Sequence, residues 1–384
     1  MKILITNPDA LIDADTGKLF EGIEEVLDKF NEVDGQQTFV ISVDAAKLRN
    51  IPESMKPVHV PGTFRGGRGL IDRLQTIFKI NISDILVLGC KQIDVGLAAN
   101  SKLLLLRADY AEKQNSGELI YRNHYGIAIK DVTALQLFLD KFLPIKKPWF
   151  YKCDVSAKTV IYSLTNANTN QYRDSDIVKI STKFQNHLKN GDDSFKEEFL
   201  VYFLVSTYAI VKEFKKVDYW GIYPSSSTAT NEDLQYYKEK ARQSYECRTP
   251  HPVFIRQKAT SKRHMKSTER RLEIGADEEL ETIRINDYYQ NKLKGATVCI
   301  IDDFTNVGSS CETARALLEK AGVAKLIFIT LGKFGKIYKA FEYTVHGDPY
   351  GEFTYERGED KMLTGEFNNA SDLQFIASLG EIVK

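Results

Sequence analysis

The chain has no surplus of charge of either sign: its 384 residues carry 52 Lys+Arg against 52 Asp+Glu. At a formal net charge of zero no global field draws it to nucleic acid or to an anionic membrane, so any basic site has to be local. Cysteine is sparse. The five (Cys90, Cys153, Cys247, Cys299 and Cys311) are scattered without a CxxC pair, which argues against a disulfide frame or a zinc site and predicts reduced thiols. Long apolar runs are missing too. Met1-Lys2-Ile3-Leu4-Ile5 turns polar at Thr6-Asn7, too early for a signal peptide. The longest later stretch, Phe199 to Val211, contains Ser206 and Thr207 and falls short of the roughly 20 residues that span a bilayer. There is no internal repeat and no low-complexity tract. These absences predict a cytoplasmic protein without membrane contact and give no indication of a nucleic-acid partner.

What is present is an ordinary globular composition, 43% hydrophobic and 27% charged, in a chain long enough for two domains. Short apolar runs alternate with helical patterns, which predicts an α/β protein. Candidate strands are Lys2 to Thr6, Thr38 to Ser42, Pro57 to Val60, Ile85 to Leu88 and Lys102 to Leu106, with helical patterns at Phe20 to Phe30 and Gly69 to Lys79. Pro144, Lys146, Lys147 and Pro148 mark a seam, because closely spaced prolines favour extended backbone. Beyond it come a strand at Thr159 to Leu164, helical patterns at Asp176 to Leu188 and Ser194 to Phe214, and strands at Tyr219 to Tyr223, Val253 to Arg256, Val298 to Ile301 and Leu326 to Leu331. The expectation is two Rossmann-like domains, residues 1–146 and 150–384, each a mainly parallel sheet flanked by helices.

Thr297-Val298-Cys299-Ile300-Ile301 is an unbroken apolar run of the kind buried on both faces of a sheet. It runs into Asp302-Asp303, a short polar turn with Gly308, and then a helix. Ser309 and Glu312 have capping-box spacing, and Ala314, Leu317, Leu318 and Ala321 recur at helical intervals, with Gly322 placed to end the helix. A helix N-terminus offers free N–H groups and a positive dipole end, and a glycine lets the backbone approach an anion closely. The hydroxyls of Thr305, Ser309 and Ser310 add donors. Paired carboxylates at a strand end can accept hydrogen bonds from a ribose diol or hold Mg²⁺ indirectly. The plain alternative is an ordinary strand–turn–helix with an acidic turn.

This order of strand, two acids, apolar residue, hydroxyl-bearing turn, glycine and helix resembles the motif by which type I phosphoribosyltransferases bind 5-phosphoribosyl 1-pyrophosphate (PRPP). Gly332-Lys333-Phe334-Gly335, after the next strand, is similar to a further feature of that family. The family usually has two threonines directly before the glycine, where this chain has Asn306 and Val307, a departure that removes one or two hydroxyl contacts. The resemblance implies that Asp302 and Asp303 hold the ribose and a Mg²⁺ ion, while Thr305, Asn306, Gly308, Ser309 and Ser310 hold the phosphate. It also implies a pyrophosphate-gripping loop after the first strand, matched by Pro224-Ser225-Ser226-Ser227-Thr228, although Ser/Pro loops are common in any fold. A mobile basic loop should close over the pyrophosphate. Residues 256–271 carry Arg256, Lys258, Lys262, Arg263, His264, Lys266, Arg270 and Arg271 against the single acid Glu269. Such a run is otherwise a solvated face or a nucleic-acid patch. Within the resemblance, Lys258, Arg263 and Arg270 are the residues expected to meet the charge, as catalytic groups beside Asp302 and Asp303. Trp149 to Leu164 and the C-terminal tail are the expected hood over the acceptor.

The N-terminal segment Ile3-Leu4-Ile5-Thr6-Asn7-Pro8-Asp9 resembles motif I of the haloacid-dehalogenase phosphatases, in which two aspartates stand two residues apart. Asp9 keeps the second and Asn7 replaces the nucleophile. An amide has no anionic oxygen with which to attack phosphorus. Ser42 fits the phosphate-binding second motif, and Arg65 or Arg68 sits where the family has a lysine. Gly89-Cys90-Lys91-Gln92-Ile93-Asp94 matches the last motif with Cys90 for its first acid and Asp94 for its second. Cys90 is a poor ligand for hard Mg²⁺. The implication is a pseudo-phosphatase that hydrolyses no phosphoester and serves as a scaffold, a dimerisation or partner-docking surface, or a regulatory phosphate site.

The whole-chain expectation is a Mg²⁺-dependent phosphoribosyltransferase using PRPP, or a related ribose 5-phosphate nucleotide, with an unidentified acceptor. Two alternatives stay open: a non-catalytic PRPP or nucleotide sensor, and a nucleotide-modifying effector of a bacterial stress or antiviral system.

Overall fold

The computed structural model describes every residue except 1, 66, 115–124, 143–144, 146, 169–181, 189–190, 212–215, 227–228, 246, 260–267, 369–378, 380–381 and 383–384. Two six-stranded sheets organise the described residues. The first contains β1 (Lys2–Thr6), β2 (Gln36–Ser42), β3 (Pro57–His59), β4 (Ile85–Gly89), β5 (Leu104–Ala108) and β6 (Ile127–Ile129). Its order is β3-β2-β1-β4-β5-β6 and every pairing is parallel. Helices α1 (Ile23–Glu32), α2 (Gly62–Arg65), α3 (Arg68–Phe78), α4 (Gln92–Ser101) and α5 (Val132–Phe142) come from the same segment. β4 is buried along its whole length, which is why Ile85-Leu86-Val87-Leu88 reads as continuous rather than alternating.

The second sheet uses β7 (Tyr151–Asp154), β8 (Thr159–Asn166), β9 (Tyr219–Ile222), β12 (Thr297–Thr305), β13 (Lys325–Lys333) and β16 (Glu366–Phe367), in the order β16-β7-β8-β13-β12-β9. The strands β8, β13, β12 and β9 are parallel, while β7 and β16 add an antiparallel edge. This sheet is therefore mixed. β10 (Phe254–Arg256) pairs with β11 (Ile283–Ile285), and β14 (Tyr338–Gly347) with β15 (Phe353–Leu363), as two antiparallel ribbons. The helices here are α6 (Lys196–Val211), α7 (Glu232–Ser244), α8 (Thr268–Ile274), α9 (Asp277–Leu280) and α10 (Ser309–Lys320), and residues 182–188 are also helical.

The ribbon β14–β15 escapes the sequence pattern because β15 keeps little buried: Glu356, Arg357, Glu359, Asp360 and Lys361 supply no apolar alternation to read. Part of the helical pattern from Asp176 to Leu188 lies outside the described residues. The two sheets do not stand apart. One continuous cluster of buried side chains runs from Leu4, Leu86 and Leu106 to Tyr162, Phe203 and Ile300. Tyr208 on α6 donates to the carbonyls of Ile82 and Ile85 at 3.0 and 3.3 Å, binding the second unit to the start of β4. No described helix is long and apolar enough to cross a membrane.

Candidate functional site

β12 lies between β13 and β9, so its apolar half is buried, and its C-terminal half opens into a cleft of about 790 Å³. The strand extends further than the sequence pattern predicts. Pairing continues through Asp302 with Thr330, Phe304 with Gly332 and Thr305 with Lys333, so both acids lie in the strand rather than after it. Backbone pairing, not side-chain polarity, sets its end. Gly332 permits the pairing because a Cβ there would meet the Phe304 ring at 2.8 Å. Phe304 and Phe334, with ring centroids 5.4 Å apart, form an aromatic wall of the cleft.

Asp302 is 7% exposed and accepts from the Asp303 N–H at 2.9 Å; Asp303 accepts from the Phe304 N–H at 2.6 Å. Burial first, and then the charge of Asp303, push the Asp302 carboxyl well above the usual carboxylate range. Two carboxylates held together in this way raise the local affinity for protons, cations and hydroxyl donors alike.

The loop ends at Gly308, whose φ of 97° lies in the left-handed region and whose missing Cβ leaves room for the Tyr338 ring 2.3 Å from where that Cβ would be. Gly308, not Ser309, is the N-cap of α10. The expected capping box is accordingly absent. Glu312, fully buried, instead accepts from the Tyr338 hydroxyl, from the Phe341 N–H at 2.8 Å and from Arg315 at 2.6 Å. The helix is thereby pinned to β14, and its first turn faces the cleft through Gly308, Ser309 and Ser310. Val307 is buried, and its carbonyl accepts from the Lys339 N–H. Lys333 completes the loop from below. Its fully buried ammonium donates to the carbonyls of Asn306, Phe334 (2.7 Å) and Ile337 (2.9 Å), three acceptors for three N–H groups. Burial brings its pKa down to about 7.

The opposite wall is the turn after β9. Tyr223, Pro224, Ser225 and Ser226 line the cleft, together with Asn231 and Leu234 at the start of α7. The turn is fixed by Arg256, which donates to the carbonyls of Ser225 and Pro224, to Thr282 Oγ1 at 2.8 Å and to Glu279 at 2.5 Å. Glu279 also accepts from the Tyr223 hydroxyl at 3.0 Å. Arg256 is thus a buried structural residue holding the loop.

The basic segment is only partly within view. Arg263 lies outside the described residues, as do Lys262, His264 and Lys266. Lys258 is exposed and is not among the residues lining the cleft. Arg270 pairs with Glu273 on its own helix at 2.6 Å, and its neighbour Arg271 is the one that lines the cleft. Helical geometry separates adjacent residues by about 100° around the axis, so a one-residue choice decides which arginine faces inward. Residues 149–164 do not line the cleft. Of these, β7 belongs to the antiparallel edge and β8 pairs in parallel with β13, while Lys336 and Ile337 line the cleft.

At the end of β1, Asn7 uses both ends of its amide internally. Oδ1 accepts from the Ala10 N–H at 3.1 Å, and Nδ2 donates to Asp94 at 2.8 Å. Asp94 also accepts from the Cys90 and Lys91 N–H groups at 3.0 Å each, capping α4. Gly89 makes this possible, since a Cβ there would lie 2.3 Å from that of Asp94. Asp9 is flanked by Lys47 at 2.7 Å and Lys91 at 2.9 Å. Burial by itself would raise the Asp9 pKa, but the bonds from Lys47 and Lys91 outweigh it and hold the carboxyl below its usual range. Ser42 closes β2, and its hydroxyl accepts from the Asp44 N–H at 3.0 Å. Arg65 ends α2, and its side chain and that of Arg68 lie outside the described set.

One further group could hold a metal ion among the described residues. His187, Asp193 and Asp233 have ligand atoms within 4.8 Å of one another. Lys196 already sits 3.1 Å from Asp233 and 3.7 Å from Asp193, and His187 Nε2 is 2.6 Å from the Tyr237 hydroxyl. None of the three lines the cleft. No protein-family model matches the chain, and none of the curated proteins compared with it matches.

Proposed function

We propose that the cleft at the end of β12 binds PRPP, or a related ribose 5-phosphate nucleotide, together with Mg²⁺, and that the protein transfers the phosphoribosyl group to an acceptor. The observation that carries this reading is the convergence, in one open cleft, of Asp302 and Asp303 with the first turn of α10. A sugar phosphate needs both: N–H groups and hydroxyls for its phosphate, and carboxylates for its diol. An all-oxygen donor set at Asp302 and Asp303 suits hard Mg²⁺ better than the mixed His187 group does, because imidazole favours transition metals. When bound, Mg²⁺ would neutralise charge on the departing pyrophosphate.

In this reading Ser309, Ser310 and Thr305 orient the 5′-phosphate, and Lys333 keeps the loop carbonyls turned away from it. The Ser225–Ser226 turn, braced by Arg256, faces the pyrophosphate. Arg271 offsets charge on the departing group, which is electrostatic catalysis without a covalent enzyme intermediate. Phe304 and Phe334 give a flat acceptor a surface to stack on. Val307 and Asn306 favour a second reading. The buried Val307 contributes no hydroxyl to the phosphate, so a sensor that binds PRPP without turnover fits the same cleft.

We further propose that the β1–β4 site hydrolyses no phosphoester, on the ground that the amide of Asn7 and the carboxylate of Asp9 are both engaged within the chain. The deciding experiment incubates the full chain with PRPP, Mg²⁺ and a panel of nucleobases and follows pyrophosphate. Release supports transfer. Binding without release supports the sensor, and neither binding nor release overturns both.

A further inference from the structure

The turn between β13 and β14, residues 334–337, lies against the loop that precedes α10 and brings a lysine to it. The turn is fastened at both ends. The Phe334 N–H donates to the Thr305 carbonyl at 2.8 Å, and just past the turn the Lys339 N–H donates to the Val307 carbonyl at 2.9 Å. Between these bonds Gly335 adopts a φ of 64° and donates its N–H to the Asn168 side chain at 3.0 Å. It comes so close to Asn306 that an added Cβ would lie 3.4 Å from Oδ1. Lys333 ties turn and loop together through the carbonyls of Asn306, Phe334 and Ile337. Lys336 thus sits on a braced turn and lines the same cleft as Thr305 to Ser310.

The polar groups of the cleft divide into those already used and those left over. Arg256 is committed to Glu279, Thr282 and two loop carbonyls, and the buried ammonium of Lys333 has given its three N–H groups to carbonyls. The Lys336 side chain is exposed and makes no ion pair or hydrogen bond among the described residues, Asp302 and Asp303 included. Two hydroxyls of the neighbouring loop are also left over. Thr305 is 7% exposed and Ser309 6%, both line the cleft, and neither hydroxyl has a hydrogen-bond partner among the described residues. Hydroxyls in so nearly buried a position are ordinarily paired, and leaving them unpaired costs stability that a ligand can return. Two waiting donors, the N–H groups of a helix start and one uncompensated ammonium match a phosphate monoester, which carries more than one negative charge at neutral pH.

We propose that Lys336 binds the phosphate of the sugar phosphate in this cleft, supplying as charge what Asn306 and Val307 withhold as hydroxyls. It thereby sets the preference for a phosphorylated over an unphosphorylated ribose. The assignment rests on the reading of the cleft as a sugar-phosphate site and names the residue that recognises the phosphate.

The test is calorimetry of the full chain with Mg²⁺ and ribose 5-phosphate, a probe whose charge is all on its phosphate. Lys336→Gln should weaken binding about tenfold. Lys336→Arg, which keeps the charge, should stay within about threefold of the parent chain. Lys320→Gln, at the far end of α10, makes the same change in net charge and should bind as the parent does. The gap between the parent and Lys336→Gln should narrow as salt is added, because an exposed ion pair is screened. Saturable binding that Lys336→Gln leaves unchanged overturns the assignment and leaves the reading of the cleft standing. A loss of equal size at low and high salt reflects altered packing rather than lost charge, and overturns the assignment too. No binding by the parent chain overturns the reading of the cleft, and the assignment with it.

Discussion

At the end of β12, Asp302 and Asp303 look into an open cleft, whereas beside β1 and β4 the polar groups of Asn7, Asp9 and Asp94 are spent on one another and on Lys47 and Lys91. Both places are the C-terminal ends of parallel strands followed by a loop and a helix. Their electrostatics differ in sign. Burial and a neighbouring carboxylate push Asp302 up, while two ammonium groups pull Asp9 down. The first arrangement crowds two carboxyl groups together at a cost in stability; the second sets its carboxylates against ammonium groups of the same chain. Strand-end topology alone therefore does not make a site.

The strongest way to break the comparison is steric. Gly308→Val puts a side chain into the Tyr338 ring at a left-handed position, and a loss of about 3 kcal/mol in urea unfolding is expected. Gly96→Ala, where the added Cβ meets nothing within 4 Å, is the control and should cost nothing. Next comes Asn7→Asp. It sets a carboxylate against Asp94 in place of a 2.8 Å hydrogen bond, and a loss of about 2 kcal/mol is expected. The variant should still fail to hydrolyse p-nitrophenyl phosphate with Mg²⁺, because Asp9 stays bound to its lysines; magnesium-dependent turnover would refute the closed-site reading.

Asp302→Asn should act in the other direction, raising Tm by about 2 °C while abolishing PRPP binding. The folded Asp302 carboxyl has a higher pKa than in the unfolded chain, so the folded state holds the extra proton between the two values. Its penalty therefore grows as pH rises through that window, and the Tm gain should be larger at pH 7 than at pH 4. The smallest effect belongs to Lys47→Ala, under about 1 kcal/mol, because its partly exposed pair with Asp9 is screened by solvent.

The strands of both sheets' parallel cores were legible because buried parallel strands are written as unbroken apolar runs, as at Ile85 to Leu88 and Thr297 to Ile301. The turn at Gly308 was legible because the apolar run ends in polar residues there and apolar residues resume at helical intervals from Ala314. Other parts were not. β15 carries charge on both faces, so nothing in its spacing marks a strand. Arg270, the expected residue, pairs with Glu273 while Arg271 lines the cleft, on a helix whose orientation no local pattern specifies. Arg256 was read as one of a mobile set, yet it is buried against Glu279 of α9 and Thr282, more than 20 residues along the chain. Lys333 entered the sequence reading only as part of Gly332-Lys333-Phe334-Gly335, and its three carbonyl acceptors required the folded loop to be seen.

Titration calorimetry of PRPP with Mg²⁺ into the full chain, beside the Asp302→Asn/Asp303→Asn double variant, asks whether the open strand end is a ligand site. Saturable binding by the parent chain, lost in a double variant that melts no lower than the parent, is the predicted result. Equal binding by both proteins, or none by the parent chain, contradicts it.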